Sequence, residues 1–165
     1  MRTSIANLAG TTSIGRAEIK SLATYVPPRV LTNADLEKLV ETSDEWILQR
    51  TGIRERHIVE PGVGTSDIAR EAAAEAIRRA GLTPADIDLI IVGTVTPDML
   101  FPSTACLLQH KLGATHAWGF DVSAACSAFA YALTVGSQLI AAGSSKYALI
   151  VGADALRDWG SYLLD

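Results

Sequence analysis

At 165 residues the chain fits one domain and can bury a sizeable core. Its 48% hydrophobic content excludes a disordered chain, and its net charge of −4 excludes a general attraction to nucleic acid or an anionic membrane. Two cysteines, Cys106 and Cys126, make neither a disulfide framework nor a metal cluster and point to a reducing cytoplasm; no apolar run approaches the roughly 20 residues of a membrane span.

Residues 1–16 carry two arginines, several Ser and Thr, and no acid. They read as a transit-like segment, a natural extension or a misassigned start, and they lack the long apolar stretch of a secretory signal. Residues 17–25 predict a first strand, ended by Pro27 and Pro28. Thr32 or Asn33 can cap a short helix over 34–40. Thr42-Ser43-Asp44-Glu45 has capping-box spacing and opens a second short helix, which Gly52 ends. Residues 54–59 read as a short extended piece.

The spacing of Ile68, Ala69, Ala72, Ala73, Ala76, Ile77 and Ala80 predicts an amphipathic helix over 66–80. Its alanines imply close approach to a neighbour. Thr83-Pro84 marks another helix start. Residues 88–95 (DLIIVGTV) predict a buried parallel strand. A helix over 103–112, a strand over 117–122, a helix over 127–142 and a strand over 147–152 follow. This alternation argues for an α/β layer with a largely parallel sheet.

Cys126 falls between a strand and a helix, after Ala124 and Ala125, whose small side chains leave the sulfur open. Unpaired N–H groups and the positive helix end favour thiolate, the nucleophilic form. That suits covalent catalysis; a small buried hydrophobe fits the placement too. Active sites in such sheets lie at the carboxyl ends of strands. Cys126, residues 94–97 and Asp154 each follow a strand end, so they converge on one edge. Cys106, beside Leu107 and Leu108, reads as core filler.

Trp46 and Arg50 are four apart on the second helix and share a face. An indole and a guanidinium suit stacking on a flat base; a core tryptophan beside a solvated arginine fits the spacing as well. Arg50, Arg54, Arg56 and His57 form a basic cluster that suits phosphates or an acidic partner, or forms ordinary charged surface.

The stretches TNADLEKLVETSDEWILQRTGIRERHI, FPSTAC, FDVSAACSAFAYAL and KYALIVGAD occur in order between Ile19 and Asp154. In them the chain resembles the initiating condensing enzymes of bacterial fatty-acid synthesis, 3-oxoacyl-acyl-carrier-protein synthase III, of the thiolase superfamily. The resemblance implies the N-terminal half of a thiolase-like α/β fold, with residues 17–165 as a half-domain behind the 1–16 extension. It implies that Cys126 attacks an acyl-coenzyme A thioester, that its backbone N–H is an oxyanion donor, and that malonyl-acyl-carrier protein then condenses with the acyl group. Coenzyme A enters as a substrate thioester; no cofactor or metal is implied.

By the same resemblance Trp46 and Arg50 sandwich the adenine of coenzyme A, and Thr42 is a neighbouring contact. Phe101 reaches across a homodimer interface to the partner's acyl pocket, and Ser123 and Leu156 lie near the acyl pocket. The implied partners are acyl-carrier protein, acyl-coenzyme A, a second copy and the C-terminal half of the enzyme, with neither nucleic acid nor membrane. The family's catalytic His and Asn come from its C-terminal half. His57, His110 and His116 do not stand at those positions. After Asp154 the pattern drifts, and the sequence stops at Asp165, near the family's midpoint. A half nicked from a longer chain, or one working beside a separate second half, is therefore expected. A related polyketide or signalling-molecule synthase, an acyltransferase and a non-catalytic half-fold partner are the alternative functions.

Overall fold

The structure, a computed structural model, describes residues 17–155. In chain order it contains β1 (Arg29–Thr32), α1 (Asn33–Leu36), α2 (Asp44–Thr51), β2 (Glu55–Ile58), α3 (Thr65–Arg79), β3 (Leu89–Gly93), α4 (Thr104–Leu112), β4 (Trp118–Val122), α5 (Ala128–Ala141) and β5 (Ala148–Gly152). Short 3₁₀ turns occupy Pro84–Asp86 and Ala125–Ser127.

β3 (LIIVG) has no polar face, so it must be covered on both sides. It is the middle strand of a parallel sheet ordered β4-β3-β5. Leu89 pairs with Trp118 on one side and Ala148 on the other, and Gly93 with Val122 and Gly152. Alternation along β3 divides the core. Ile90 and Val92 pack with Ala69, Ala73, Ile77, Ala105 and Leu108 from α3 and α4. Leu89 and Ile91 pack with Ala132 of α5. Leu89, Ile90, Ile91 and Val92 are all 0% exposed. At about 1.5–3 kcal/mol for each fully buried aliphatic side chain, this strand anchors the three layers.

Several expectations are corrected. Residues 17–25 pair with no strand among the described residues; Ser21 Oγ donates to the Ala76 carbonyl at 2.7 Å and Arg79 Nη1 to the Leu22 carbonyl at 2.9 Å. Their bonds run to α3, not to a ladder. The strand the sequence did not announce is β1, which pairs antiparallel with β2 from Arg29↔Ile58 to Thr32↔Glu55. The helix expected over 34–40 stops at Leu36. Thr32 caps it with Asp35 in a capping box, but Leu39 and Val40 beyond it are exposed and have no face to pack on. Ser43, not Thr42, caps α2: its hydroxyl accepts from Trp46 N at 3.1 Å. Thr83-Pro84 opens only a 3₁₀ turn. The remaining helices and strands fall within a residue or two of the expected bounds.

α3 and α4 are stapled where their ends meet. Lys111 Nζ donates to Ser66 Oγ at 2.7 Å and pairs with Asp67. Asp67 also accepts from Gly64 N at 2.9 Å. The lysine, then the Gly64 N–H, hold the Asp67 carboxyl below its ordinary value. The folded chain therefore resists protonating Asp67, so the pair stabilises above the unfolded carboxylate range and is lost as pH falls through the lower folded value. Asp67→Asn is expected to lower the free energy of urea unfolding at neutral pH by a few tenths to about 1 kcal/mol, the scale of a half-exposed pair. The loss should shrink below about pH 4. An equal loss at pH 7 and pH 3 would refute the pair's role.

Candidate active site

The carboxyl ends of β3, β4 and β5 meet at one edge. Thr94 N donates to the Val122 carbonyl at 3.2 Å and Ala153 N to the Gly93 carbonyl at 3.1 Å, extending the ladders past the strands. Cys126 leaves this edge in a sharp turn. Ala124 has φ −148° and ψ 30°, and Ala125 has φ 46°. A left-handed alanine costs of order 1–3 kcal/mol and persists only where its surroundings enforce it. Ser127 N donates to the Ala124 carbonyl at 3.0 Å and closes the 3₁₀ turn that presents Cys126 at the surface, just before α5. A strained strand-turn-helix of this kind lifts a nucleophile above a sheet. The sequence placed Cys126 just before a helix over 127–142; the structure starts that helix at Ala128 and puts Cys126 two residues before it, within the 3₁₀ segment.

The three longer helices treat their N-termini differently. Asp98 accepts from Ser66 N at 3.0 Å in the first turn of α3. At α4, Asp121 of β4 accepts from Thr104 N at 2.7 Å and Ala105 N at 2.8 Å, and Ser103 Oγ accepts from Cys106 N. α5 has no side-chain cap. Its first N–H, that of Ala128, donates to the Ala125 carbonyl, and its positive end lies beside the Cys126 turn. No histidine among the described residues hydrogen-bonds Cys126; His110 and His116 are exposed, and His57 Nδ1 lies 2.6 Å from the Pro27 carbonyl. No group of three His, Cys, Asp or Glu among the described residues is placed to hold a metal ion.

The start of α5 is pressed onto glycines. A Cβ on Gly93 would stand 2.9 Å from the Ala128 carbonyl carbon and 3.0 Å from Phe129 N. One on Gly152 would meet the Phe129 ring and Cβ at 3.1 and 3.2 Å. At Gly93 only hydrogen lets the helix that follows Cys126 begin directly over the end of β3, because the obstacle is backbone, whereas at Gly152 the Phe129 side chain would have to give way.

The other expected residues lie on two further features. The Arg50 guanidinium carbon is 4.7 Å from the Trp46 ring centroid, and Trp46 is 53% exposed. The sequence spacing thus did bring them together, but as a closed pair. Carbon contacts of about 3.5–4.0 Å on each side of an adenine would need a wider gap than this. The cation–π attraction closes the jaw that the resemblance implied, leaving one indole face for a ligand. Thr42 and Trp46 line an open cleft of ≈ 410 Å³ with Val40, Glu41 and Ser43. Of the basic cluster, Arg56 is spent on Asn33 Oδ1 at 2.5 Å, whereas Arg54 is exposed. Phe101 is 88% exposed beside Leu100, which is 100% exposed, at the tip of the loop between β3 and α4. Ser123 is exposed between β4 and the Cys126 turn, and Leu156 lies outside the described residues. Cys106 is half-buried and takes a hydrogen bond from Ser103 Oγ at 3.2 Å.

Comparison with known proteins agrees with this arrangement. The family 3-oxoacyl-acyl-carrier-protein (ACP) synthase III matches residues 120–162, which include the Cys126 turn. The beta-ketoacyl-acyl-carrier-protein synthase III of Koribacter versatilis is 58% identical over 143 residues, covering 87% of this chain and 43% of that protein. The chain resembles the N-terminal half of a 3-oxoacyl-acyl-carrier-protein synthase III. The crystal structure of that synthase from Aquifex aeolicus superposes with a TM-score of 0.80 at 50% identity, covering 84% of this chain and 45% of that one. The priming beta-ketosynthase of the R1128 polyketide pathway superposes at 0.81 with 33% identity, covering 89% and 45%. The fold is the N-terminal half of the thiolase-like fold, and the chain spans less than half the length of the relatives it matches.

Gly93→Ala is expected to force α5 off the sheet edge, since the obstacle is backbone and not a flexible side-chain end. Overpacking of this kind costs about 1–3 kcal/mol. Thermal unfolding should show the loss, and a thiol-reactive probe should report a changed Cys126 rate. An unchanged melting temperature would show that the approach is not a constraint.

Proposed function

We propose that this chain supplies the nucleophile and coenzyme A-binding half of a decarboxylating condensing enzyme that starts fatty-acid chains. The observation that carries the reading is Cys126, exposed on a strained turn before an uncapped helix at the carboxyl edge of a parallel sheet. In the proposed reaction the Cys126 sulfur forms a bond to the acyl carbon of an acyl-coenzyme A thioester. The tetrahedral oxyanion collapses, the bond to the coenzyme sulfur breaks, and coenzyme A leaves as its thiol. Malonyl-acyl-carrier protein then loses CO2, and its carbanion attacks the acyl-Cys126 carbon. The new carbon–carbon bond forms, Cys126 thiolate departs, and the product is a 3-oxoacyl-carrier protein. Backbone N–H groups at the turn, Cys126's own included, are suited to the oxyanion.

The remaining assignments belong to the same proposal. The open face of Trp46, the Thr42 cleft and Arg50 bind the nucleotide end of coenzyme A. Ser123 and Leu156 border the acyl pocket, and Phe101 borders that of a second copy. The exposed Leu100–Phe101 tip supports covering by another chain in a cytoplasmic homodimer. The exposed Phe129, Tyr131, Leu133 and Val135 of α5 support covering by the enzyme's C-terminal half. The likeness to a priming polyketide ketosynthase favours one second reading, the same chemistry on a polyketide primer.

With the C-terminal half present, incubation with acetyl-coenzyme A is expected to add one acetyl group that maps to Cys126 by mass spectrometry. Cys126→Ser should abolish the adduct, and an unchanged yield would sink the reading. Trp46→Ala should weaken coenzyme A binding by roughly 1–3 kcal/mol, the loss of a stacked aromatic anchor. An unaltered dissociation constant in calorimetry would count against the cleft.

A further inference from the structure

The segment between β3 and α4 carries the exposed apolar tip, yet its two ends are held by hydrogen bonds from separate elements. At its start one oxygen, Asp154 Oδ1 just beyond β5, accepts from Val95 N at 2.9 Å, Thr94 Oγ1 at 3.0 Å, Thr96 N at 3.2 Å and Thr96 Oγ1 at 3.0 Å. Thr96 Oγ1 accepts in return from Ala155 N at 3.0 Å, and Thr65 Oγ1 of α3 donates to the Thr96 carbonyl at 2.5 Å. Thr94 is buried, and its N–H donates to Val122, four residues before Cys126. Further along, Asp98 is fixed by Ser66 N and Ser66 Oγ. A Cβ on Gly64 would overlap Asp98 Oδ1 at 2.1 Å, so the two segments interlock. At the far end Asp121 takes the first N–H groups of α4. Among the described residues the tip at Leu100 and Phe101 has no such anchor, and it faces solvent.

We propose that Asp154 is a positioning residue: by gathering Thr94, Val95 and Thr96 on one carboxylate oxygen, it fixes the root of the loop that carries Phe101, so sets how Phe101 is presented to the acyl pocket of a second copy, and thereby tunes acyl-chain selectivity without touching the reacting atoms. This rests on the condensing reading above. Coulomb and hydrogen-bond contacts to a charged acceptor are stronger than neutral ones, and four donors on one oxygen define a single loop position more sharply than any one of them would. A loop free to shift by a fraction of an ångström discriminates chain length poorly, because a methylene is worth only about 1–3 kcal/mol in a pocket.

The test uses the chain with its C-terminal half, as the homodimer, and reads Cys126 acylation by acetyl- and hexanoyl-coenzyme A. Asp154→Ala is expected to move the ratio of the two kcat/KM values toward one by about tenfold, the scale of a single methylene's discrimination. The acylation rate with the preferred primer should change much less than the ratio does. Asp154→Asn keeps an acceptor oxygen in the same place and should hold the ratio near that of the parent. Hydrogen exchange should quicken at Val95 and Thr96 in Asp154→Ala and not along α5. Should Asp154→Ala fail to fold, Thr96→Val removes one of the four donors and should shift the ratio in the same direction by less. A parent protein that takes up no acyl group sinks the condensing reading and this inference with it. A parent that acylates, with the ratio unchanged in Asp154→Ala or in Thr96→Val, overturns the inference alone and leaves Asp154 a purely structural anchor.

Discussion

Everything at the carboxyl edge of the sheet depends on how closely α5 approaches β3. The first residue of that helix lies over Gly93 with room for a hydrogen and no more, and the Phe129 side chain lies tightly over Gly152. Close approach shortens the path from the end of β4 to the start of α5. The chain must then turn within Ser123–Ser127, and the tightness of that turn forces Ala125 to a φ of 46°. The strain is stabilised by burial elsewhere: the fully covered β3, with α5 on one face and α3 and α4 on the other, supplies many times the cost of one left-handed alanine. The exposed sulfur is thus a consequence of core packing, with no side chain needed to hold it out.

Charge is distributed to the same end. Carboxylates sit where helix N-termini would otherwise be bare, Asp98 at α3 and Asp121 at α4, and Asp154 gathers the amides of a loop. Each lets a connection stay close to the sheet without leaving buried N–H groups unpaired. α5 is the exception, with no side-chain cap beside the Cys126 turn. An anion placed there would be stabilised by a fixed dipole that costs no reorganisation when charge develops. A carboxylate in that position would compete with a thiolate or an oxyanion for the same donors.

How much of this was legible in sequence follows the range of the interaction that fixes each part. α3, α4, α5 and the three parallel strands rest on periodicity and local caps, and their bounds were readable within a residue or two. Trp46 and Arg50 were readable as neighbours because a helix brings i and i+4 together; that they close on one another depends on side-chain rotamers, which spacing does not encode. β1 was hidden because four residues with two exposed positions carry no pattern, and its partner lies beyond both short helices. The strand expected over 17–25 has strand-like composition, but ladder bonds need a neighbour that a local window does not see. Ala125 gives no warning at all, since left-handed geometry is signalled by Gly or Asn and here is imposed on alanine from outside. The Asp154 contacts join residues about sixty apart in sequence, and only the fold reveals them.

The choice of cysteine over serine suits the geometry. A hydroxyl needs an adjacent base to become a nucleophile, and no such base hydrogen-bonds the turn among the described residues. A thiol depends least on one, because part of it is thiolate near neutral pH and sulfur is intrinsically nucleophilic. On the proposed reading, a nucleophile on a turn held by its own backbone keeps its orientation whether or not other groups have arrived. On the proposed reading, acyl uptake asks for little more than this half of the fold displays. The second step, which must stabilise an enolate as CO2 leaves, asks for donors that face the same sulfur from another direction. On that reading, the exposed Cys126, the start of α5 without a side-chain cap and the exposed apolar side chains of α5 are what a second surface would complete.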